Sequence, residues 1–183
     1  MRIIAGIAKG RNLYSIKNTQ VRPTQDRVKE AVFNMLAFKV PGCNVLDLFS
    51  GFGGLGLEAL SRGADRVTFV EKNYKNAEVI KKNIKTCGFE DSGTVVIDNV
   101  YNYLKIADEE YDLIFMDPPY NKGFVERTLQ MIVKNNLLAR EGYIISESHR
   151  DETVSELTQL NIIKNKKYGD TSINILCSKE AKQ

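Results

Sequence analysis

The sequence is poor in metal-ligating and cross-linking residues. It has one histidine, His149, and three cysteines, Cys43, Cys87 and Cys177, among 183 residues. The cysteines are odd in number, lie far apart and form no CxxC pair. That excludes a disulfide framework and a cysteine-based zinc centre, and predicts reduced thiols in a cytoplasmic protein. A lone histidine builds neither a zinc site nor a Ser-His triad with its sequence neighbours, so His149 reads as a surface or strand-end residue and no metal is expected. No apolar run approaches the roughly 20 residues of a membrane span. The opening Met1-Arg2-Ile3-Ile4-Ala5-Gly6 lacks the long apolar core of a signal peptide, so no membrane partner is expected either. Internal repeats, linkers and low-complexity segments are missing, and the length predicts a single domain over residues 1–183.

Charge is present but unevenly spread. The net charge is +3, yet residues 1–30 hold seven basic residues against Asp26 and Glu30, an excess of +5. A basic arm on a near-neutral body predicts a polyanionic partner, with Arg2, Lys9, Arg11, Lys17 and Arg22 as candidate RNA-binding residues. Residues 2–17 carry Ile3, Ile4, Ile7, Leu13, Tyr14 and Ile16 around Gly6 and Gly10, which predicts a β-hairpin. This basic extension covers residues 1–20, and residues 21–183 form a helix followed by an α/β core. Thr24 is the expected N-cap of that helix, which should run to about Ala37 before Pro41 and Gly42.

From Asn44 onward, apolar runs of strand length alternate with stretches of helical spacing. Strands are expected at residues 45–49, 66–70, 94–97, 111–117 and 143–146. Helices between them start at the glycine-rich turn 50–56, at Asn73, near Val100 and near Phe124, with Gly63 and Gly88 as stops. Two further runs, Ile162-Ile163 and Ile173-Asn174-Ile175-Leu176, flank the turn Tyr168-Gly169-Asp170-Thr171 and predict a terminal antiparallel hairpin. The fold class is therefore α/β, a mostly parallel sheet with helices on both faces.

Ligands of such sheets bind beyond the carboxyl ends of the strands. Asp47 to Gly53, Glu71, Asp98 and Asp117 to Tyr120 all fall on that rim. The turn Gly51-Phe52-Gly53-Gly54-Leu55-Gly56 lets backbone approach a ligand closely, but it lacks the Lys-Ser/Thr ending of a nucleotide-triphosphate loop. Glu71 can accept two ribose hydroxyls. Four acids would repel a phosphate-bearing cofactor and suit a cationic one, such as the sulfonium of S-adenosylmethionine. Candidate cofactor-binding residues are Asp47, Phe49, Gly51, Gly53, Glu71, Asp98 and Asp117.

The stretch Leu113-Ile114-Phe115-Met116-Asp117-Pro118-Pro119-Tyr120 is a strand ending in a rigid corner. Each proline forces its predecessor out of the helical region and supplies a carbonyl without an adjacent N–H donor. A carboxylate and free carbonyls beside a flat ring can grip a planar group bearing an NH₂. Asp117, Pro118, Pro119 and Tyr120 are the candidate catalytic residues.

These motifs resemble a known family. Leu46-Asp47-Leu48-Phe49-Ser50-Gly51-Phe52-Gly53 is similar to the cofactor loop of class I S-adenosylmethionine-dependent methyltransferases, and Asp117-Pro118-Pro119-Tyr120 to the signature of those acting on exocyclic amines of bases. The opening residues with Lys9-Gly10-Arg11, the run from Arg22 to Ala31, the run from Gly56 to Ala64, and Tyr168-Gly169-Asp170-Thr171 narrow the resemblance to the RsmD family. The resemblance implies a Rossmann-like fold and methylation of guanine N2 in small-subunit ribosomal RNA, free or in an assembling particle. It also implies S-adenosylmethionine as cofactor. Adenine-N6 methylation of DNA or RNA is the alternative. A dinucleotide-dependent oxidoreductase would leave the proline corner unexplained, and a non-catalytic RNA-binding protein would leave it unused.

Overall fold

Among the described residues, seven strands form one sheet in the order β3-β2-β1-β4-β5-β7-β6. They are β1 (Asn44–Leu48), β2 (Arg66–Val70), β3 (Gly93–Val96), β4 (Tyr111–Met116), β5 (Leu138–His149), β6 (Leu160–Tyr168) and β7 (Thr171–Ser178). In this computed structural model the described residues are 1–16, 26–36, 39–120, 123–152 and 159–179, Arg27 by its backbone alone. The first five strands pair in parallel, and β7 runs against both β5 and β6. The order reverses between β1 and β4, so their carboxyl ends flank the crevice where ligands of open α/β sheets bind.

Side-chain alternation splits the core into two layers. Val45, Val67, Phe69, Leu113, Phe115 and Ile145 face α1 (Asp26–Met35), α2 (Gly54–Ser61) and α3 (Tyr74–Cys87). Leu46, Leu48, Val70, Ile114, Met116 and Ile144 face α4 (Val100–Ile106) and α5 (Phe124–Lys134). Each such side chain contributes about 1.5–3 kcal/mol by leaving water. The helix boundaries follow local chemistry. Asn73 accepts the N–H groups of Lys75 and Asn76, and Gly88 closes α3 in the left-handed conformation.

Several boundaries differ from expectation. The N-terminal hairpin is short: the bridge Arg2 to Asn12 is flanked by the backbone hydrogen bonds Ile3 to Arg11 and Leu13 to Met1, and the chain between the two legs docks on α2. Ile7 consequently points out, 86% exposed. Helix α1 stops at Met35, α5 stops at Lys134 before Asn136 takes a positive φ, and β5 extends from Leu138 to His149. Thr24, Ala37, Lys17 and Arg22 lie outside the described residues.

The docked arm rests on buried polar groups. Glu58 accepts the N–H groups of Ile4 and Ala5 at 2.8 and 3.0 Å and pairs with Lys29 at 3.1 Å and Arg62 at 2.8 Å. Ser61 accepts from Ala8 and donates to the Ala5 carbonyl. Gly6 fits only because it lacks a side chain: a Cβ there would sit 1.6 Å from the Ser61 oxygen. Lys29, counted in the basic excess, is fully buried in this pairing and is not available to a polyanion.

Candidate active site

The glycine-rich loop after β1 is shaped by close contacts. Gly53 has φ +80 and Gly51 φ +57. Gly56 lets α2 lie directly on β2, since a Cβ would come within 2.3 Å of Phe69. Its N–H donates to Asp47 Oδ2 at 3.0 Å. Asp47 is 3% exposed, so its carboxylate sits beneath the loop and steadies the first turn of α2 rather than lining an open pocket wall. Burial pushes Asp47 up to about 7, against the Gly56 N–H that lowers it, with Glu71 adding to the rise.

Glu71, the first residue after β2, braces the same loop. Its Oε2 accepts the Gly51 N–H at 3.0 Å and its Oε1 the Asn73 N–H at 2.7 Å. Each oxygen keeps a second lone-pair direction for a ligand hydroxyl. Asn83 on α3 donates to the Phe52 carbonyl and also holds both backbone groups of Tyr14, tying loop and arm together. Asp98, beyond the end of β3, accepts the Asn99 N–H and the Asn102 side chain at the start of α4. Phe49 holds φ +58, a conformation costly for a non-glycine residue, and its ring stacks on Phe124 at 6.4 Å.

At the end of β4, Pro118 is buried while Asp117 and Tyr120 are half-buried. The Tyr120 hydroxyl donates to Glu147 Oε1 at 2.8 Å and lies 3.1 Å from the Thr171 hydroxyl. Its ring meets His149 edge-on at 5.8 Å. Three strands thus converge on one ring. Tyr120 follows β4, Glu147 and His149 come from β5, and Thr171 is the first residue of β7. Sequence reading missed this brace, although one signal was available. Tyr143, Ile145 and Glu147 share one strand face, so an acid lies in register with the core.

The carboxylates crowd one another. Burial holds Asp117 well above the usual carboxylate range, with the charges of Glu147 and Asp47 adding to the effect. Burial also raises Glu147, against the lowering hydrogen bonds from Tyr120 and Thr171. Among the described residues no lysine or arginine pairs with Asp47, Asp117 or Glu147. The predicted RNA-binding residues lie elsewhere. Lys9 is exposed, Arg2 pairs with Asp26, and Arg11 donates to the Thr86 carbonyl. Among the described residues no cluster suited to a metal ion is found, and no helix is long and apolar enough to cross a membrane.

Residues 1–177 match the model of the family described as Conserved hypothetical protein 95. The chain is 35% identical to ribosomal RNA small subunit methyltransferase D of Haemophilus influenzae, over 96% of this chain and 92% of that one. It is 37% identical to the protein of the same name from Escherichia coli K12, over 81% and 74% respectively. The solved structure of Escherichia coli YhhF superposes with a TM-score of 0.89 at 32% identity, covering 97% of both chains. With this sheet order, this loop and this extent of match, the chain belongs to the RsmD family of Rossmann-like methyltransferases.

Proposed function

We propose that this protein transfers a methyl group from S-adenosylmethionine to the exocyclic N2 amine of a guanine in small-subunit ribosomal RNA, free or within an assembling particle in the cytoplasm. The observation that carries the reading is the braced corner. Asp117, the Pro118 carbonyl and Tyr120 stand together at the switch point, beside a loop held by Glu71.

The residues fit the cofactor. Glu71 retains acceptor capacity for ribose hydroxyls, the glycines open the loop, and the surrounding charge is negative. S-adenosylmethionine, when bound, supplies an electrophilic methyl carbon on a sulfonium. Asp117 and the Pro118 carbonyl accept the two N–H bonds of the amine and turn its lone pair outward. Tyr120 offers a ring surface to the base, and Glu147 and Thr171 keep that ring from swinging. Once methylated, with the sulfonium leaving as a neutral thioether, the amine would be cationic. A carboxylate at Asp117 stabilises that charge and accepts the proton released afterwards. Positioning and electrostatics supply the rate enhancement, without a covalent enzyme intermediate. The base must leave a duplex to reach the corner.

Relatives named for ribosomal RNA support the RNA substrate. The choice of guanine over adenine rests on the family resemblance. Mass spectrometry of nucleosides after reaction with small-subunit RNA tests it. N2-methylguanosine is expected, whereas N6-methyladenosine would overturn the choice of base.

A further inference from the structure

The side of the β5–β7–β6 sheet facing α5 changes character abruptly. Ile144, Leu176 and Ile162 form an apolar row across the three strands. The next row is Ser146, Asn174 and Asn165, and the one beyond it Ser148, Ser172 and Lys167. Four of these polar side chains are almost wholly buried: Ser146 and Ser148 at 0%, Ser172 at 2% and Asn174 at 3% exposure. The Asn165 side-chain amide donates to the Ser172 hydroxyl and to Asn174 Oδ1. Among the described residues, the hydroxyls of Ser146 and Ser148 and the side-chain amide nitrogen of Asn174 have no hydrogen-bond partner.

Unpartnered buried donors are costly and rare, and they call for a ligand or water. Asn174, Ser172, Asn165, Lys167 and Arg150 line a cleft of about 250 Å³. One water takes about 30 Å³ of liquid, so the space exceeds that of a single structural water. Arg150 and Lys167 bring positive charge to it, and Glu152 at the rim keeps it from being a plain anion hole. Donors, hydroxyls and cations together suit a ribonucleotide, with its phosphate, sugar hydroxyls and base edge.

The cleft and the amine corner share strand tips. Glu147 and Thr171 point to the corner, while their neighbours Ser148 and Ser172 belong to the opposite face. We propose that the cleft is a second RNA subsite, taking a nucleotide that flanks the target guanine so that the RNA straddles the tip of β5 and β7. This rests on the RNA substrate proposed above.

Direct RNA binding, measured across a salt series, tests it. The Arg150→Glu/Lys167→Glu variant should weaken binding of a small-subunit RNA fragment tenfold or more. It should also flatten the slope of log affinity against log salt by about 1.4, the loss of two single-strand phosphate contacts. S-adenosylmethionine affinity should stay unchanged. Asn174→Leu, which removes the orphaned amide at similar volume, should weaken RNA binding while the melting temperature holds or rises. Wild-type affinity and slope in both variants would overturn the subsite, as would RNA binding that weakens only in proportion to a lowered melting temperature. If wild-type protein binds RNA through the cleft but transfers no methyl group, the subsite stands and the proposed reaction falls. Absence of RNA binding by the wild type would overturn both.

Discussion

Acids are buried in two regions of this molecule, and their surroundings are opposite. Under the N-terminal arm, Glu58 meets Lys29, Arg62 and two backbone N–H groups. At the strand ends, Asp47, Asp117 and Glu147 have only one another, a few neutral donors and no cation among the described residues. The first arrangement compensates a buried charge and fixes the arm to α2. The second leaves negative charge uncompensated, which costs stability until a cationic or N–H-rich ligand arrives. Burial alone therefore does not mark a functional acid. Missing compensation is what makes the strand-end acids candidates.

The sharpest way to break this contrast is at Glu58. Glu58→Ala strands the buried Lys29 ammonium and two N–H groups, so it should lower unfolding free energy by about 3–5 kcal/mol. Chemical denaturation measures this. A loss below 1 kcal/mol would show that the ion pair does not hold the arm. Glu71→Ala should cost less, about 1.5–3 kcal/mol in S-adenosylmethionine binding, because one charged acceptor is removed from a loop otherwise intact. Calorimetry reads it directly, and an unchanged Kd would take Glu71 out of the cofactor site.

A pH series sharpens the contrast further, with a smaller effect. An acid whose folded pKa lies above its ordinary value binds its proton more tightly when folded. Its contribution is present at low pH and is lost as pH rises through the folded value. For Asp47 that window runs from its ordinary 3.8 to about 7, and Asp117 and Glu147 shift in the same direction. Without cofactor, this contribution to the melting temperature should thus fall between pH 5 and pH 7. A rise over that interval would mean that the strand-end acids are compensated after all.

Much of the fold was readable because its signals are local. The strand Arg66–Val70, the Asn73 cap and the Gly88 stop each depend on neighbours within a few residues. The glycine loop and the proline corner were legible for the same reason. What escaped depends on partners far along the chain. Lys29 and Glu58 look like surface charges until α1 and α2 are packed together. Glu147 and Thr171 acquire meaning only when β7 inserts beside β5 and brings both to Tyr120. The expected hairpin is shorter than residues 2–17 because the chain between its legs docks on Glu58 and Ser61, which accept the backbone N–H groups of Ile4, Ala5 and Ala8.

The central claim is that the Asp117 carboxylate is kept at a cost in stability because it grips the target amine. Single-turnover methyl transfer by Asp117→Ala, at saturating S-adenosylmethionine and with the melting temperature taken in parallel, tests it most directly. The variant's rate should be at least about 10²-fold lower, as for groups acting on the transition state, with a melting temperature equal to or above wild type at pH 8. Near-wild-type turnover would show that the amine is held elsewhere and would contradict the mechanism.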